Sequence, residues 1–361
     1  MSILNIMWAG GSAYASVQKV HQQILSHVVG PAPVDTWLLQ GSAEAGEPAL
    51  EWKLSSAQLK GKHLWKLLMP RLRARFQKAL PDGVEVVLLD GVGVARVMLP
   101  MLKRLPQVRA VVLFHGATRL RRADQALFAQ FPAAQLTLAA VSQTLADSLE
   151  CYLQRPVAVL RSAFDPVDFC AAALSREQAR MRLGLPLDAA PVLGAVGRLV
   201  DDKGFGCLLE AFAGVSPDWP DARLVIVGEG QARSALEARI EQLGLQGKVS
   251  LSGHLSDAAT LYRAFDWVAV PSTQEGLGLI LQEAVMAGVP VLTSDLAVFR
   301  EQLADAGWYA PSGDVQAWGH LMAHAFATSA REVLATQSRA LAPEQAWKDF
   351  SETSQRLFSC R

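Results

Sequence analysis

The sequence predicts an α/β protein made of two tandem domains, each built on a parallel sheet. Three observations carry that expectation. The chain has 361 residues, 51% of them hydrophobic and 19% charged, enough for two cores at roughly 100–200 residues per domain. Short runs of β-branched and aliphatic residues alternate with stretches of helical spacing, as buried parallel strands and crossover helices do. The second half then repeats the pattern of the first.

In the first half, 2–8 is a short apolar strand that meets Gly10-Gly11 and a helical pattern through Val17, Val20, Ile24 and Leu25. Further strands are expected at 34–39, at 84–89 before Asp90-Gly91, at 109–114 before His115-Gly116 and at 136–141 before Ser142. In the second half, strands are expected at 192–196, 223–227, 249–251, 267–270 and 289–293, with helices at 206–213, 232–243 and 279–287. Asp165-Pro166 and the Ala-rich stretch after Cys170 interrupt the strands, which places the boundary near 163–190. The expected division is a first domain over 1–165, a second over 166–330 and a helical tail over 331–361. In open parallel sheets a ligand lies outside the carboxyl ends of the strands, here in a cleft between domains. The polar candidates all sit at such ends.

Met1 to Ala9 runs into Gly10-Gly11 with no basic leader and no cleavage site, so no secretory signal is expected. The longest apolar runs have strand length, well short of the roughly 20 residues of a membrane span. The expected localisation is cytoplasmic, with peripheral contact at the inner face of the cytoplasmic membrane left open. Cys151, Cys170, Cys207 and Cys360 include no CxxC pair. Free thiols and no metal site are expected, and no nucleic-acid partner.

The formal net charge is zero, yet the charge is uneven. Residues 1–165 hold 18 Lys and Arg against 11 Asp and Glu, whereas 166–361 hold 16 against 23. The extreme is 53–122, with 15 basic and 3 acidic residues. An anionic acceptor, an anionic membrane surface and a solvated basic face all fit this excess.

Two constellations carry chemistry in the second half. Gly197-Arg198-Leu199-Val200-Asp201-Asp202-Lys203-Gly204 follows a strand and opens a helix. Free amides and the positive end of the helix dipole attract anions there. Arg198 and Lys203 add two full charges, an arrangement suited to a diphosphate; an ordinary basic surface turn is the plainer alternative. Glu275 and Glu283 flank Gly276-Leu277-Gly278-Leu279 at the start of the next expected helix. Carboxylates accept strongly from hydroxyls, and the glycines let amides approach a ligand. Two exposed glutamates at a helix start would look the same.

The segments VGRLVDDKGFGCLLEAF, ARLVIVGEGQARSALE, VSLSGHLSD, YRAFDWVAVPSTQEGLGLILQEAVMAGVPVLTSD and GWYAPSGD occur in one order within 192–315. That region resembles the donor-binding domain of family 4 glycosyltransferases, the large retaining group of GT-B fold. The resemblance implies two Rossmann-like domains facing each other across a cleft, the first binding the acceptor and the second a nucleotide-sugar donor. It implies that Arg198 and Lys203 hold the diphosphate, Glu283 the ribose hydroxyls and Glu275 hydroxyls of the transferred sugar. Gly276, Leu277, Gly278 and Leu279 would supply amides, and Leu255, after Gly253-His254, would flank the base. No metal or other cofactor is implied, since side chains and a helix end neutralise the leaving diphosphate. The donor expected is a UDP-sugar, with GDP as the alternative.

In the first domain, Gly10-Gly11 resembles the family's glycine-rich loop near the donor phosphates, and it is not the GxGxxG fingerprint of a dehydrogenase. His115 stands where the family has a histidine touching the transferred sugar. A front-face retaining reaction needs no dedicated nucleophile, and no general base is named. Arg119, Arg121 and Arg122 form a candidate site for an anionic, lipid-linked glycan acceptor, or a solvated basic helix. The segment 60–76, KGKHLWKLLMPRLRARF, has the composition of an interfacial membrane segment and equally of a core-facing helix with a basic outer face, with Pro70 interrupting the pattern.

The chain departs from the family in three places, the mildest being Gly276-Leu277-Gly278 where Gly-Phe-Gly is commoner. Residues 160–165 lack the usual Asn-Gly before Asp165, and 296–301 lack the usual glycine pair after Ser294-Asp295. The expected activity is a retaining glycosyltransferase of lipopolysaccharide or surface-polysaccharide assembly. A GT-B enzyme with a small sugar acceptor and a catalytically silent nucleotide-sugar-binding subunit are the alternatives. The tail beyond about 329 reads as helices, and the resemblance implies that it packs back toward the first domain.

Overall fold

The computed structural model describes residues 2–10, 15–29, 34–43, 49–60, 65–188 and 191–359. The chain divides into two compact units, Met1–Ser162 with Lys348–Arg361, and Ala163–Trp347.

The first unit holds strands β1 (Ile3–Ala9), β2 (Asp35–Gln40), β3 (Leu50–Glu51), β4 (Val86–Asp90), β5 (Arg109–Phe114), β6 (Leu136–Ala140) and β7 (Ala158–Val159). They form one sheet in the order β3-β2-β1-β4-β5-β6-β7, with every pairing parallel. The strands are rich in valine, leucine and isoleucine because both faces are covered. Ala110 to Phe114 are all buried. The order reverses between β1 and β4, where Ile3 pairs with Val86. Asp90 and His115 follow at the carboxyl ends of β4 and β5.

The helix Trp65–Ala79 runs through Pro70, where an interruption was expected. Pro70 is the sixth residue of the helix, where a proline removes one amide bond and crowds the preceding turn, and core packing holds the helix through it. Phe76 from this helix is buried against Trp37 and Trp52, and Met69 and Leu72 pack on the same core. Arg73 donates to the carbonyls of Val97 and Arg96 at 3.1 and 3.2 Å. This is a core-facing helix whose one large exposed apolar side chain, among those described, is Leu67.

The second unit holds β8 (Val192–Val196), β9 (Arg223–Val227), β10 (Val249–Gly253), β11 (Trp267–Val270), β12 (Val291–Ser294) and β13 (Trp308–Ala310). Their order is β10-β9-β8-β11-β12-β13, again all parallel. Strand order reverses between β8 and β11, where Trp267 pairs with Leu193. Asp165 caps the helix Pro166–Ala172, accepting from Val167 N at 2.8 Å. The unit therefore starts a few residues before the expected 166.

The final helix, Pro343–Phe358, changes unit along its length. From Lys348 onward it is grouped with the first unit, and 331–347 stay with the second. Phe350 is buried and meets the His27 ring edge-on at 5.5 Å. Arg109 donates to the carbonyls of Ser359 and Leu357 at 2.8 and 3.0 Å, satisfying helix-end acceptors. Among the described residues no helix is long and apolar enough to cross a membrane.

Candidate functional site

In the second unit the site residues gather at the switch point of the sheet, where open α/β sheets bind ligands. β8 ends at Val196 and leads through Gly197 and Arg198 to a single helical turn, Asp201–Lys203. Gly204 then caps the helix Phe205–Val215 with φ +70°. A Cβ at Gly204 would lie 2.0 Å from the Pro271 carbonyl oxygen, so only glycine lets this turn press against the chain leaving β11. The contact is sealed by Thr273 N, which donates to Asp202 O at 2.8 Å.

This approach brings Lys203 onto Glu275. Lys203 Nζ donates to Glu275 Oε1, and both side chains are largely buried. Ser272 Oγ donates to the same oxygen at 2.8 Å. Arg198, on the same turn, is exposed. The two halves of the expected phosphate clamp are thus placed differently, one against a carboxylate and one in solvent.

The turn after Glu275 is braced from behind. Gly278 has φ +83° and caps the helix Leu279–Met286. A Cβ there would lie 2.5 Å from Phe299 Cε1. Buried Gln302 donates from Nε2 to Leu277 O at 2.5 Å. Phe299 and Gln302 belong to the helix Ala297–Leu303, which begins in the stretch that lacks the glycine pair. That stretch carries a support for the Gly276–Leu279 turn. Leu281 N donates to Gly278 O at 3.0 Å, and the amides of Leu279 and Ile280 open the helix at the positive end of its dipole, where anions bind.

Glu283 is the fifth residue of this helix. Tyr262, fully buried, donates from its hydroxyl to Glu283 Oε2 at 2.8 Å. Burial, then the Glu283 charge and this hydrogen bond, hold the Tyr262 hydroxyl well above its usual pKa, so it stays a donor. Leu255 packs, partly buried, on the core that contains Tyr262 and Leu281.

In the first unit His115 is at the centre of a polar cluster. Its Nε2 lies 3.0 Å from Nε2 of His21, a completely buried residue of the helix Ala15–Val29. His21 Nδ1 lies 2.7 Å from Asn5 Oδ1 on β1. Asp90 Oδ1 is 3.8 Å from His115 Nε2, and Asp90 Oδ2 accepts from Trp8 N at 3.1 Å. Burial lowers the pKa of His21 strongly, with help from His115. Burial also lowers that of His115, against the opposing pull of Asp90. Both rings are neutral at pH 7. His21, Asp90 and His115 could each offer one ligand atom to an ion, all within 4.8 Å of one another. The two Nε2 atoms face each other at hydrogen-bond distance, so the ring pair is satisfied by one shared proton.

Arg119, Arg121 and Arg122 are exposed. Arg122 opens the helix Arg122–Phe128, Arg121 caps it and Arg119 precedes it; Asp124 accepts from Arg121 N at 2.7 Å and is held by Nε and an Nη of Arg96, each at 2.7 Å. Gly10 ends β1 and sits against Ser42 and Gly41; Gly11 lies outside the described residues. Sequence reasoning gave no role to Tyr262, which opens one of the quoted segments, to Phe299 within 296–301, or to Gln302. It also missed Asn5, His21 and Asp90, whose spacing gives no signal without the sheet.

Residues 176–349 match the family described as Glycosyl transferases group 1. Through this segment, just under half of the chain, it is similar to the group 1 glycosyl transferases. Its fold, two Rossmann-like units on parallel sheets, is that of GT-B glycosyltransferases. Among curated relatives, it is 34% identical over 140 residues to 2-deoxystreptamine glucosyltransferase of Streptomyces kanamyceticus, covering 38% of this chain and 36% of the relative. The aligned stretch thus spans about a third of that relative's length. It is 25% identical over 284 residues to the lipopolysaccharide core biosynthesis mannosyltransferase LpsB of Rhizobium meliloti, covering 77% of this chain and 75% of the relative. The structure of Anabaena Alr3699/HepE in complex with UDP and glucose superposes with a TM-score of 0.78 at 18% identity, covering 99% of this chain and 98% of the other. That likeness concerns the fold alone. The group 1 match covers every second-unit residue singled out above, from Arg198 to Gln302.

Proposed function

We propose that this chain is a retaining glycosyltransferase that moves a sugar from a nucleotide sugar to a hydroxyl of a glycan or lipid-linked glycan acceptor. UDP-sugar is the favoured donor and GDP-sugar the alternative; the pathway is lipopolysaccharide or other surface-polysaccharide assembly. The observation that carries this reading is the meeting of Lys203, Glu275 and the Gly278-capped helix at the switch point of the second sheet. Cation, carboxylate and free amides there match the phosphates and hydroxyls of a nucleotide sugar. The UDP and glucose bound to the HepE structure and the lipopolysaccharide role named for LpsB support the donor and pathway.

In this reading Arg198, Lys203 and the amides of Gly276 to Leu279 take the charge that develops on the leaving diphosphate, without a metal or other cofactor. Glu275 turns one oxygen to the transferred sugar while Lys203 shifts to phosphate. Glu283, oriented by Tyr262, takes the ribose hydroxyls, and Leu255 flanks the base. In the same reading Gly10 and Gly11 serve the donor phosphates, His115 orients the sugar, and Arg119, Arg121 and Arg122 bind an anionic acceptor. The acceptor hydroxyl attacks from the face that the diphosphate leaves, so no side chain serves as nucleophile, and the departing phosphate oxygen accepts the acceptor's proton, so none serves as general base.

The test is a screen of UDP- and GDP-sugars by thermal shift, followed by turnover with lipid-linked glycan acceptors and by NMR assignment of the product anomer. Ligand binding raises the unfolding temperature by mass action. The expected product keeps the donor's anomeric configuration, and excess EDTA leaves the rate unchanged. Stabilisation by a nucleotide sugar with no turnover on any acceptor would favour a silent binding subunit. An inverted product would overturn the retaining assignment.

A further inference from the structure

The His21–His115 contact raises a question that the donor reading leaves open: which nitrogen of His115 carries the proton? Two neutral imidazoles whose Nε2 atoms are 3.0 Å apart share one proton; two lone pairs, or two N–H groups, facing each other would repel. Asn5 and Asp90 decide which ring gives it. Asn5 Nδ2 faces the Thr36 hydroxyl at 3.4 Å, which turns Asn5 Oδ1 toward His21 Nδ1 at 2.7 Å. An amide oxygen only accepts, so His21 carries its proton on Nδ1 and offers a lone pair at Nε2. Asp90 acts in the same sense. Its Oδ1, 3.8 Å from His115 Nε2, favours an N–H over a lone pair at that atom.

We propose that Asn5 and His21 are positioning residues that hold His115 as its Nε2–H tautomer, leaving Nδ1 as a neutral acceptor for a hydroxyl of the sugar substrate. The proposal rests on the glycosyltransferase reading of the site. It adds a chemical restriction: His115 in this form accepts from a hydroxyl and does not serve as a cation for phosphate. The tautomer of a histidine is set by the hydrogen bond its other nitrogen makes, and here that bond is buried. The titratable groups facing the pair among the described residues are Asp90 from β4 and the two rings themselves. His21 itself is completely buried and therefore acts through His115, without contact with substrate.

The test uses the full chain labelled with 15N-histidine. Long-range 1H–15N spectra at pH 7.5 distinguish a protonated from a bare ring nitrogen, and His115→Gln assigns the signal. The wild type is expected to show His115 protonated at Nε2 and His21 at Nδ1. His21→Gln presents an amide oxygen to His115 and is expected to preserve the tautomer and most of the turnover. His21→Leu presents none; His115 is then expected to populate both tautomers, and kcat to fall on the order of tenfold or more with donor KM little changed. Thermal unfolding of both variants, matched within a few degrees, separates this from misfolding. If His21→Leu does not fold, Asn5→Leu serves in its place. His115 protonated at Nδ1 in the wild type, or a tautomer indifferent to His21→Leu, overturns the proposal, as does stoichiometric zinc in the purified protein. A correct tautomer in a protein that turns over no nucleotide sugar would instead sink the functional reading and leave the positioning pair standing.

Discussion

Lys203 donates to Glu275 across 72 residues of sequence, joining the turn that leaves β8 to the turn that leaves β11. The two strands are neighbours at the point where sheet order reverses, so the pair spans the mouth of the site. Each partner neutralises the other while the site is without ligand, in a place where an unpaired charge is costly. Lys203→Ala is therefore expected to lose about 1–2 kcal/mol of stability, a partly buried charge lying between the exposed and buried limits. Nucleotide affinity should fall at least tenfold. Lys203→Ala with Glu275→Ala should recover the stability without recovering nucleotide binding. Urea unfolding and calorimetric titration with UDP measure the two effects, and a double variant no more stable than Lys203→Ala would count against the pairing.

Tyr262→Phe removes only the hydroxyl that donates to Glu283 Oε2 at 2.8 Å. A buried bond to a charged acceptor is worth about 1.5–3 kcal/mol. The variant should lose stability near the low end of that range, because Glu283 has further interactions. Glu283 would also lose its fixed rotamer, so affinity for a nucleoside diphosphate should fall several-fold while affinity for pyrophosphate holds. Equal losses for both ligands would show that Tyr262 acts on the whole turn.

Gly278→Ala tests the brace behind the helix Leu279–Met286. The position has φ +83° and a Cβ would lie 2.5 Å from Phe299 Cε1. Left-handed backbone costs a side chain roughly 1–2 kcal/mol, and the Phe299 overlap adds to it. The expected result is a lower urea midpoint and weaker UDP binding together. Phe299→Leu in the same chain should recover part of the loss, the part due to overlap. Full recovery would mean that the backbone conformation is not strained.

The parallel sheets were legible because their strands are buried on both faces and read as unbroken apolar runs. The spans 109–114, 192–196, 223–227 and 267–270 coincide with β5, β8, β9 and β11. The edge strands β3 and β7 have two residues each and β13 has three, too short for any periodicity. Pro70 misled because the packing of Met69, Leu72 and Phe76 on the core holds the helix through the proline. In the site, Arg198, Lys203, Glu275 and Glu283 were visible because glycines and strand ends frame them. The Lys203–Glu275 pair was not, since it depends on Gly204 pressing on Pro271. Nor was the Asn5–His21–His115 chain, which needs the helix after β1 to reach over to the end of β5, two strands away.

Arg119, Arg121 and Arg122 stand exposed on a helix start fixed by Asp124 and Arg96. Reversing all three to Glu should leave the fold intact, because none of the three guanidinium groups is buried. UDP affinity should stay within twofold, while KM for an anionic lipid-linked acceptor should rise on the order of tenfold and lose its salt dependence. An unchanged KM at low salt would return this cluster to an ordinary solvated basic face.

Finally, the buried His21 ties stability to pH. Its folded pKa lies well below the ordinary histidine value because burial, then His115, disfavour the charged ring. The unfolded chain therefore binds a proton near pH 6.5 that the folded chain refuses. Stability rises with pH wherever the unfolded state holds more protons. The folded protein should thus weaken as pH falls below about 6.5, with a slope approaching about 1.4 kcal/mol per pH unit for one such group, and be nearly flat above pH 7.5. His115 is shifted in the same direction and adds to the effect. His21→Gln removes one proton from the balance. Its urea-unfolding free energy should differ less between pH 5.5 and pH 7.5 than that of the wild type, by on the order of 1 kcal/mol. A variant with an unchanged pH dependence would mean that the buried chain through Asn5, His21 and His115 opens enough in solution for His21 to take up its proton while folded.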